Sequence, residues 1–502
     1  MNNSSDYFVD LTLDHVTWRQ KNGSDIVVGN ASKGSDYCAY DNKAEFARGT
    51  FFDAGGGSFY IGYRSGGNQR ASRNSLTLSG GSVLTNVANL ALACSQGGDY
   101  GKLVIQEGSK AYSAQGGIGG SSASNSGGSF NSAIVTGAGS EWALAGSLHV
   151  GTSGGGTAAV SNKLVIADGG KVSGVTTFGV GSRLEANSST IASNLLWIST
   201  GRLETHGEAS IGAGYSCASY DNLALVDGAD SSWNAGGGTL NVSYGRQGRA
   251  MRNSVVVRDG GRLEDLGNVR IGVANASAGD SGRLVLTNGA YASMAGTSGT
   301  SMAIGYSHGG NQPNPARDNA VVLHGGDLGN SVLDLASHVL YVGYSPSDGK
   351  AKSDATNNVL RLEAGGVLKD AASIVIGYNP AKGATNNVVV LAGGTGNAGS
   401  LAVSSGNGLS VELTEAGILP LRVSGTATFG ADTFVRANCL SGAASGDYTL
   451  IEAEAIVDNG LVLGPELDAA LWRLKVTTES VGGTKARVVL RHLKPATVII
   501  LL

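Results

Sequence analysis

The chain has 502 residues, of which 80 are glycine and only 7 proline, with 41% hydrophobic, 15% charged and 6% aromatic residues. So much glycine without proline or a three-residue period excludes collagen, and so large a hydrophobic share excludes plain disorder. A net charge of −4 and a pI near 6.0 exclude a general affinity for nucleic acid or an anionic membrane surface.

The first residues, Met1-Asn2-Asn3-Ser4-Ser5-Asp6, carry neither a basic region nor an apolar run, so no signal peptide is read there. Residues 1–24 are expected to cap the element that follows. From residue 25 a short apolar run ending in a small residue, often followed by tyrosine, returns at intervals of about 30 residues. It reads Ile26-Val27-Val28-Gly29, Tyr60-Ile61-Gly62-Tyr63, His149-Val150-Gly151, Ser210-Ile211-Gly212 and Asn241-Val242-Ser243-Tyr244. Arg270-Ile271-Gly272, Ala303-Ile304-Gly305-Tyr306, Tyr341-Val342-Gly343-Tyr344 and Val375-Ile376-Gly377-Tyr378 continue it, with weaker copies near Ala93, Gly119 and Gly181.

A second run follows each of these: an asparagine, alternating apolar residues, then a Gly-Gly pair. Asn74 to Gly81, Asn253 to Gly261, Asn319 to Gly326, Asn357 to Gly366 and Asn386 to Gly394 are examples. A third short apolar run comes after the glycines, as at Arg262-Leu263 and Val367-Leu368. No segment shows the three-and-four spacing of a helix.

Such a unit, three short strands and three turns, cannot bury its apolar face alone; stacked edge to edge, the units pair every strand and build a continuous core. The expected fold is all-β: a single right-handed parallel β-helix, a solenoid of about 12 three-strand coils of about 30 residues over positions 25–415. A propeller needs longer, four-stranded repeats. Gly-Gly suits a corner with φ > 0, and the recurring asparagine can bond backbone at its corner and stack into a ladder. Residues 416–502 read as a β-rich C-terminal cap. In it, Leu471–Val476 and Arg487–Leu490 form a hairpin about the turn Ser480–Thr484.

The four cysteines, Cys38, Cys94, Cys217 and Cys439, include no CxxC pair and give neither a disulfide framework nor a zinc site. Cys38 and Cys217 occupy equivalent repeat positions about 29 Å apart by strand spacing, too far to bridge. Gly151-Thr152-Ser153-Gly154-Gly155 matches a nucleophile elbow but lacks the strand–helix context, and no phosphate, dinucleotide or metalloprotease motif is present. Of the seven histidines, His324 and His338 are expected at the surface. No catalytic residue, metal ligand set or cofactor is assigned. Asp227, Asp230 and Asp259 with Arg258 are the candidates for a polysaccharide-degrading site, and turn propensity explains them equally. The run Arg246, Arg249, Arg252, Arg258, Arg262, Arg270 reads as a solvated face.

Two features mark a binding surface. One is the tyrosine after the small residue, at Tyr306, Tyr344 and Tyr378, with Tyr63 and Tyr244 at equivalent points; such a row either stabilises the stack or offers a strip to sugars. The other is the variable loop that follows. It contains Arg70 and Arg73, Arg249 and Arg252, and Arg317, at the corner where solenoids place recognition.

Gly137-Ala138-Gly139-Ser140-Glu141-Trp142, then Ala145 to Gly151, then Leu164 to Val172, with a second copy beginning at Gly228-Ala229-Asp230-Ser231-Ser232-Trp233, resemble the repeats of bacterial autotransporter passengers. The likeness spans about residues 25 to 400, and Asp447–Leu490 resembles the β-rich region that ends such passengers. The resemblance implies export to a bacterial surface and, commonly, adhesion; the expected role is a non-enzymatic solenoid that binds glycans or neighbouring cells through its corner loops. No signal peptide and no translocator barrel are read in this sequence, and no segment is apolar enough to span a membrane. The competing expectations are a polysaccharide lyase or glycoside hydrolase, and a purely structural spacer.

Overall fold

The computed structural model describes residues 9–31, 38–64, 70–93, 98–120, 127–152, 158–182, 190–215, 217–308, 315–346, 354–379, 383–415, 417–440, 443–479 and 485–493. All regular structure among them is β; the chain is a right-handed parallel β-solenoid, as its repeat predicts. It forms two compact units, residues 1–284 and 285–502.

Each coil of the first unit begins after the asparagine corner with a strand of sheet I. These strands pair in parallel in chain order: Asp10–Asp14, Lys43–Ala47, Ser75–Leu78, Lys102–Ile105, Ser132–Thr136, Lys163–Ala167, Leu195–Ser199, Leu223–Asp227 and Ser254–Arg258. Alternate residues point inward, so Leu103, Ala133, Leu164, Leu196, Ala224 and Val255 stack in register and are fully buried. A glycine turn then leads into the second strand, which after a bend continues as the third. In places one long strand carries both, as in Lys171–Ser182 and Arg202–Gly214, whose pairing shifts register at the bend.

The second unit repeats the plan. Its sheet I strands are Ala320–His324, Val359–Glu363, Val388–Ala392, Gly408–Leu413, Thr433–Cys439 and Leu461–Leu463. Parallel pairing therefore runs past position 416, where the sequence repeat fades, because the later coils keep their strands while shortening their corners. Antiparallel pairing begins with the hairpin Trp472–Glu479 and Lys485–His492, which lies against Gly446–Ala453. The hairpin strands are those expected; the turn at 480–484 lies outside the described residues.

Buried asparagine ladders hold a corner of each unit. In the first unit the Nδ2 of Asn131 donates to Asn162 Oδ1 at 2.9 Å, Asn162 to Asn194 at 3.0 Å, Asn194 to Asn222 at 2.9 Å and Asn222 to Asn253 at 2.8 Å. The backbone N–H of each donor also bonds the same oxygen. In the second unit Asn319, Asn358, Asn387 and Asn407 repeat the pattern. The small residue of the Ile-Gly-Tyr run is explained by this ladder. At Gly181 (φ +61°) a Cβ would lie 2.1 Å from Asn222, and at Gly343 (φ +78°) 2.2 Å from Asn387.

Two positions depart from glycine, Ala93 (φ +56°) and Ser243 (φ +54°), and the second is explained by the ladder. Position 243 is serine, and the ladder position it would meet is Gly282; Ser243 Oγ instead accepts from Asn253 Nδ2 at 3.1 Å and supplies the missing rung.

Candidate functional site

The tyrosine corner. In the second unit Tyr306, Tyr344 and Tyr378 sit in register one coil apart, just past the glycine whose left-handed φ turns the chain. Their ring centroids are 5.3 and 5.2 Å apart, and Tyr341 packs on Tyr344 at 4.2 Å. Tyr378 is 40% exposed and the other two are half-buried, so the row reaches the surface. Burial, with Tyr378 alongside, raises the Tyr341 phenol above its usual range. His308 stacks on Tyr306 at 6.0 Å.

Tyr63 and Tyr244 belong to the first unit and are not brought into a row. Tyr63 packs on Tyr60 at 5.0 Å and its counterpart in the preceding coil is Asn30. Tyr244 lies between Ala213 and Val273, its hydroxyl accepting from Asn275 at 3.2 Å. The loops at 65–69, 309–314, 347–353 and 380–382 lie outside the described residues.

The corner arginines are fastened to aspartates of adjacent coils. Arg73 bonds Asp41 through both Nε and Nη2 at 2.8 Å, and Arg252 bonds Asp221 in the same way. Their guanidinium carbons lie 5.2 Å from the Tyr40 ring and 5.7 Å from Tyr220. The arginine bonds hold Asp41 and Asp221 below the usual carboxylate range. Arg249 reaches Asp280 at 3.5 Å, Arg317 reaches Asp354 at 3.3 Å, and Arg70 is exposed. One constellation, tyrosine–aspartate–asparagine followed a coil later by arginine–asparagine, thus occurs twice in the first unit.

The acidic candidates resolve into structure. Arg258 binds Asp227 through Nε at 3.0 Å and Nη2 at 2.8 Å, and lies 3.4 Å from Asp259. An ion pair of this kind favours the charged carboxylate and opposes a role as proton donor. Among the described residues no group of three His, Cys, Asp or Glu could hold a metal. Cys38, Cys217 and Cys439 are free thiols. Ser153 and Cys94 lie outside the described residues.

One of the two histidines differs from expectation. His324 is at the surface beside Glu363 at 3.1 Å, but His338 is buried, with Nε2 2.8 Å from the Ala295 carbonyl and 3.1 Å from Thr300 Oγ1. The bend before its strand turns this side chain under the neighbouring coil, which a reading by spacing does not capture. His149, within the run that resembles passenger repeats, is also buried. Its Nδ1 lies 3.2 Å from Ser182 Oγ, and burial lowers its pKa to about 4. In that run Trp142 is fully buried and donates through Nε1 to Ser113 at 3.0 Å; Trp233 does the same to Thr205 at 3.1 Å.

A groove was not foreseen. At the bend between the second and third strands of the second unit, register lapses in successive coils, between Asp334 and His338, Leu368 and Ala371, Ala398 and Leu401, and Val423 and Thr426. The lapses align into a concavity of about 910 Å3. Its floor is small (Ala371, Ala372, Ala398, Gly399, Ser424 and Ala453) and its rim carries Asp370, Arg422, Glu452, Glu454 and Lys485. A smaller, neutral hollow of about 410 Å3 marks the corresponding bend of the first unit, around Ala88, Tyr112 and Ala145. The signal was available: a pair of small residues recurs mid-run at 371–372, 398–399 and 424–425, where the corner glycines and asparagines drew attention instead.

No protein-family model and no curated protein matches this sequence. The chain is a β-solenoid repeat protein on its own geometry.

Proposed function

We propose that the chain is a non-enzymatic β-solenoid of the cell surface or the extracellular medium, which binds glycans through its tyrosine corner in the manner of an adhesin. The observation carrying this reading is the row Tyr306, Tyr344, Tyr378, three aromatic side chains held at coil spacing on one corner, with Tyr378 exposed and the others half-buried. Aromatic rings that present one apolar and one polar end suit sugars, which do the same. Of the residues that could have argued for catalysis, Asp227 and Asp259 are held in ion pairs with Arg258, and Asp230 is exposed.

Retention of the intact protein on immobilised xylan, mannan and dextran tests this. Tyr344→Ala with Tyr378→Ala is expected to lower retention on at least one of them about tenfold, equivalent to roughly 1.4 kcal/mol. Equal retention of the variant and the parent on all three, or retention on none, would overturn it.

The degradative reading draws on the carboxylates of the groove, Asp370, Glu452 and Glu454. Glu452 is paired with Arg422 at 3.7 Å and with Arg487 at 3.3 Å, and Asp370 with Lys369 at 3.3 Å. Among the described groove carboxylates that leaves Glu454 to serve as an acid. Release of reducing ends from the same polysaccharides would favour this second reading.

A further inference from the structure

We infer that the groove of the second unit is a separate binding site for an extended, uncharged oligosaccharide, independent of the tyrosine corner. Five coils contribute to it in order, through Ser337, Asp370, Asn397, Arg422 and Glu452. At a strand spacing of about 4.8 Å the floor is about 19 Å long. The volume, about 910 Å3, lies at the upper end of the range for small-molecule sites, about 300–1,000 Å3.

Three properties select the ligand. The groove runs across the strands, so an occupant lies perpendicular to them and cannot add as a further strand, which disfavours an extended peptide. The rim mixes donors, Arg422 and Lys485, with acceptors, Asp370, Glu452 and Glu454, while Asn397 and Ser424 do both. A ligand whose every polar group both donates and accepts matches that mixture, and hydroxyls are such groups. The near balance of charge on the rim offers no net attraction to a polyanion. The alanine and glycine floor leaves room for rings to sit between the rim side chains. With no aromatic residue among its described lining, the groove is expected to bind weakly, in the millimolar range.

The test uses the full chain carrying Tyr344→Ala and Tyr378→Ala, so that the corner does not contribute. Hexasaccharides of xylan, mannan, cellulose and α-glucan, with hexagalacturonate as the charged comparison, are titrated into it by calorimetry. At least one neutral hexasaccharide is expected to bind. Adding Ala372→Trp, which fills the exposed floor, is expected to weaken binding at least about tenfold. Glu454→Ala with Lys485→Ala, both exposed, is expected to weaken it about fivefold without disturbing the fold. Absence of neutral binding at about 10 mM, binding indifferent to both sets of changes, or tighter binding of hexagalacturonate would each overturn the inference. Because the corner is removed in this background, failure here is distinct from failure of the tyrosine-corner reading, which is read in the parent protein.

Discussion

Asn194 is fully buried and uses all of its side-chain polar atoms: Oδ1 accepts from Asn162 N and Nδ2, and Nδ2 donates to Asn222 Oδ1 and the Ala159 carbonyl. Alanine there leaves the Asn162 backbone N–H and the Ala159 carbonyl without their side-chain partner, while Asn162 Nδ2 keeps only the Gly128 carbonyl. A loss of about 2–4 kcal/mol is expected in denaturant unfolding, since each orphaned group costs about 1–3 kcal/mol. Gly181 and Asn222 are coupled in the same way. Gly181→Ser alone drives a Cβ against Asn222 and should be severely destabilising. Combined with Asn222→Gly it recreates the native Ser243 and Gly282 pairing, with the new hydroxyl facing Asn194. The double variant is therefore expected to be at least about 1 kcal/mol more stable than the sum of the two single losses predicts. Simple additivity would show that the glycine and the asparagine are independent.

His149 gives a pH dependence whose sign follows from its burial. The free imidazole titrates near 6.5 and the buried one near 4, so between those values the unfolded chain binds more protons than the folded one. Stability is then complete above about pH 6.5 and falls as pH drops towards 4, by roughly 3 kcal/mol in all. His149→Gln should flatten that part of the profile in unfolding measured from pH 7 to 4. An unchanged slope would mean that the imidazole is protonated in the fold.

At the scale of elements, ion pairs between coils divide by exposure. Arg252 and Asp221 are about half exposed, so Arg252→Ala is expected to change stability by less than about 1 kcal/mol. Arg361, Glu412 and Glu363 lie closer in, on the outer face of sheet I in the second unit. Arg361 reaches past one strand to Glu412, whose carboxyl it holds below the usual range. Glu412→Gln should therefore cost more than Arg252→Ala in a direct comparison of unfolding midpoints; equal effects would count against the distinction.

These elements also show what the sequence could and could not say. The alternating runs after Asn74, Asn253 and Asn319 gave the strands, and the recurrence of asparagine gave the ladder, because both are local patterns repeated in register. Why glycine or serine must precede the tyrosine was hidden, since Gly181 meets Asn222 only after the chain has gone once around. The ion pairs of the corner arginines were hidden for the same reason: Asp41 and Arg73 are adjacent only across coils. The groove depends on aligned register lapses, which no single coil displays.

At the scale of the molecule, coil stacking decides what the surface can be. A solenoid puts equivalent residues at fixed intervals, so a corner can present a row such as Tyr306, Tyr344 and Tyr378 and a bend can become a groove. Everything proposed for binding presupposes that stacking. Spin labels on the outward ends of sheet I test it, in a background where the four native cysteines are serine. With one label at Lys102 and the other at Leu195, Leu223 or Ser254, the partners are three, four and five strands away in the parallel sheet. Pulsed dipolar spectroscopy should give backbone separations rising evenly by about 4.8 Å per coil, to about 24 Å for the last pair. Separations that stay level, or rise and fall around a ring as in a propeller, would contradict the account.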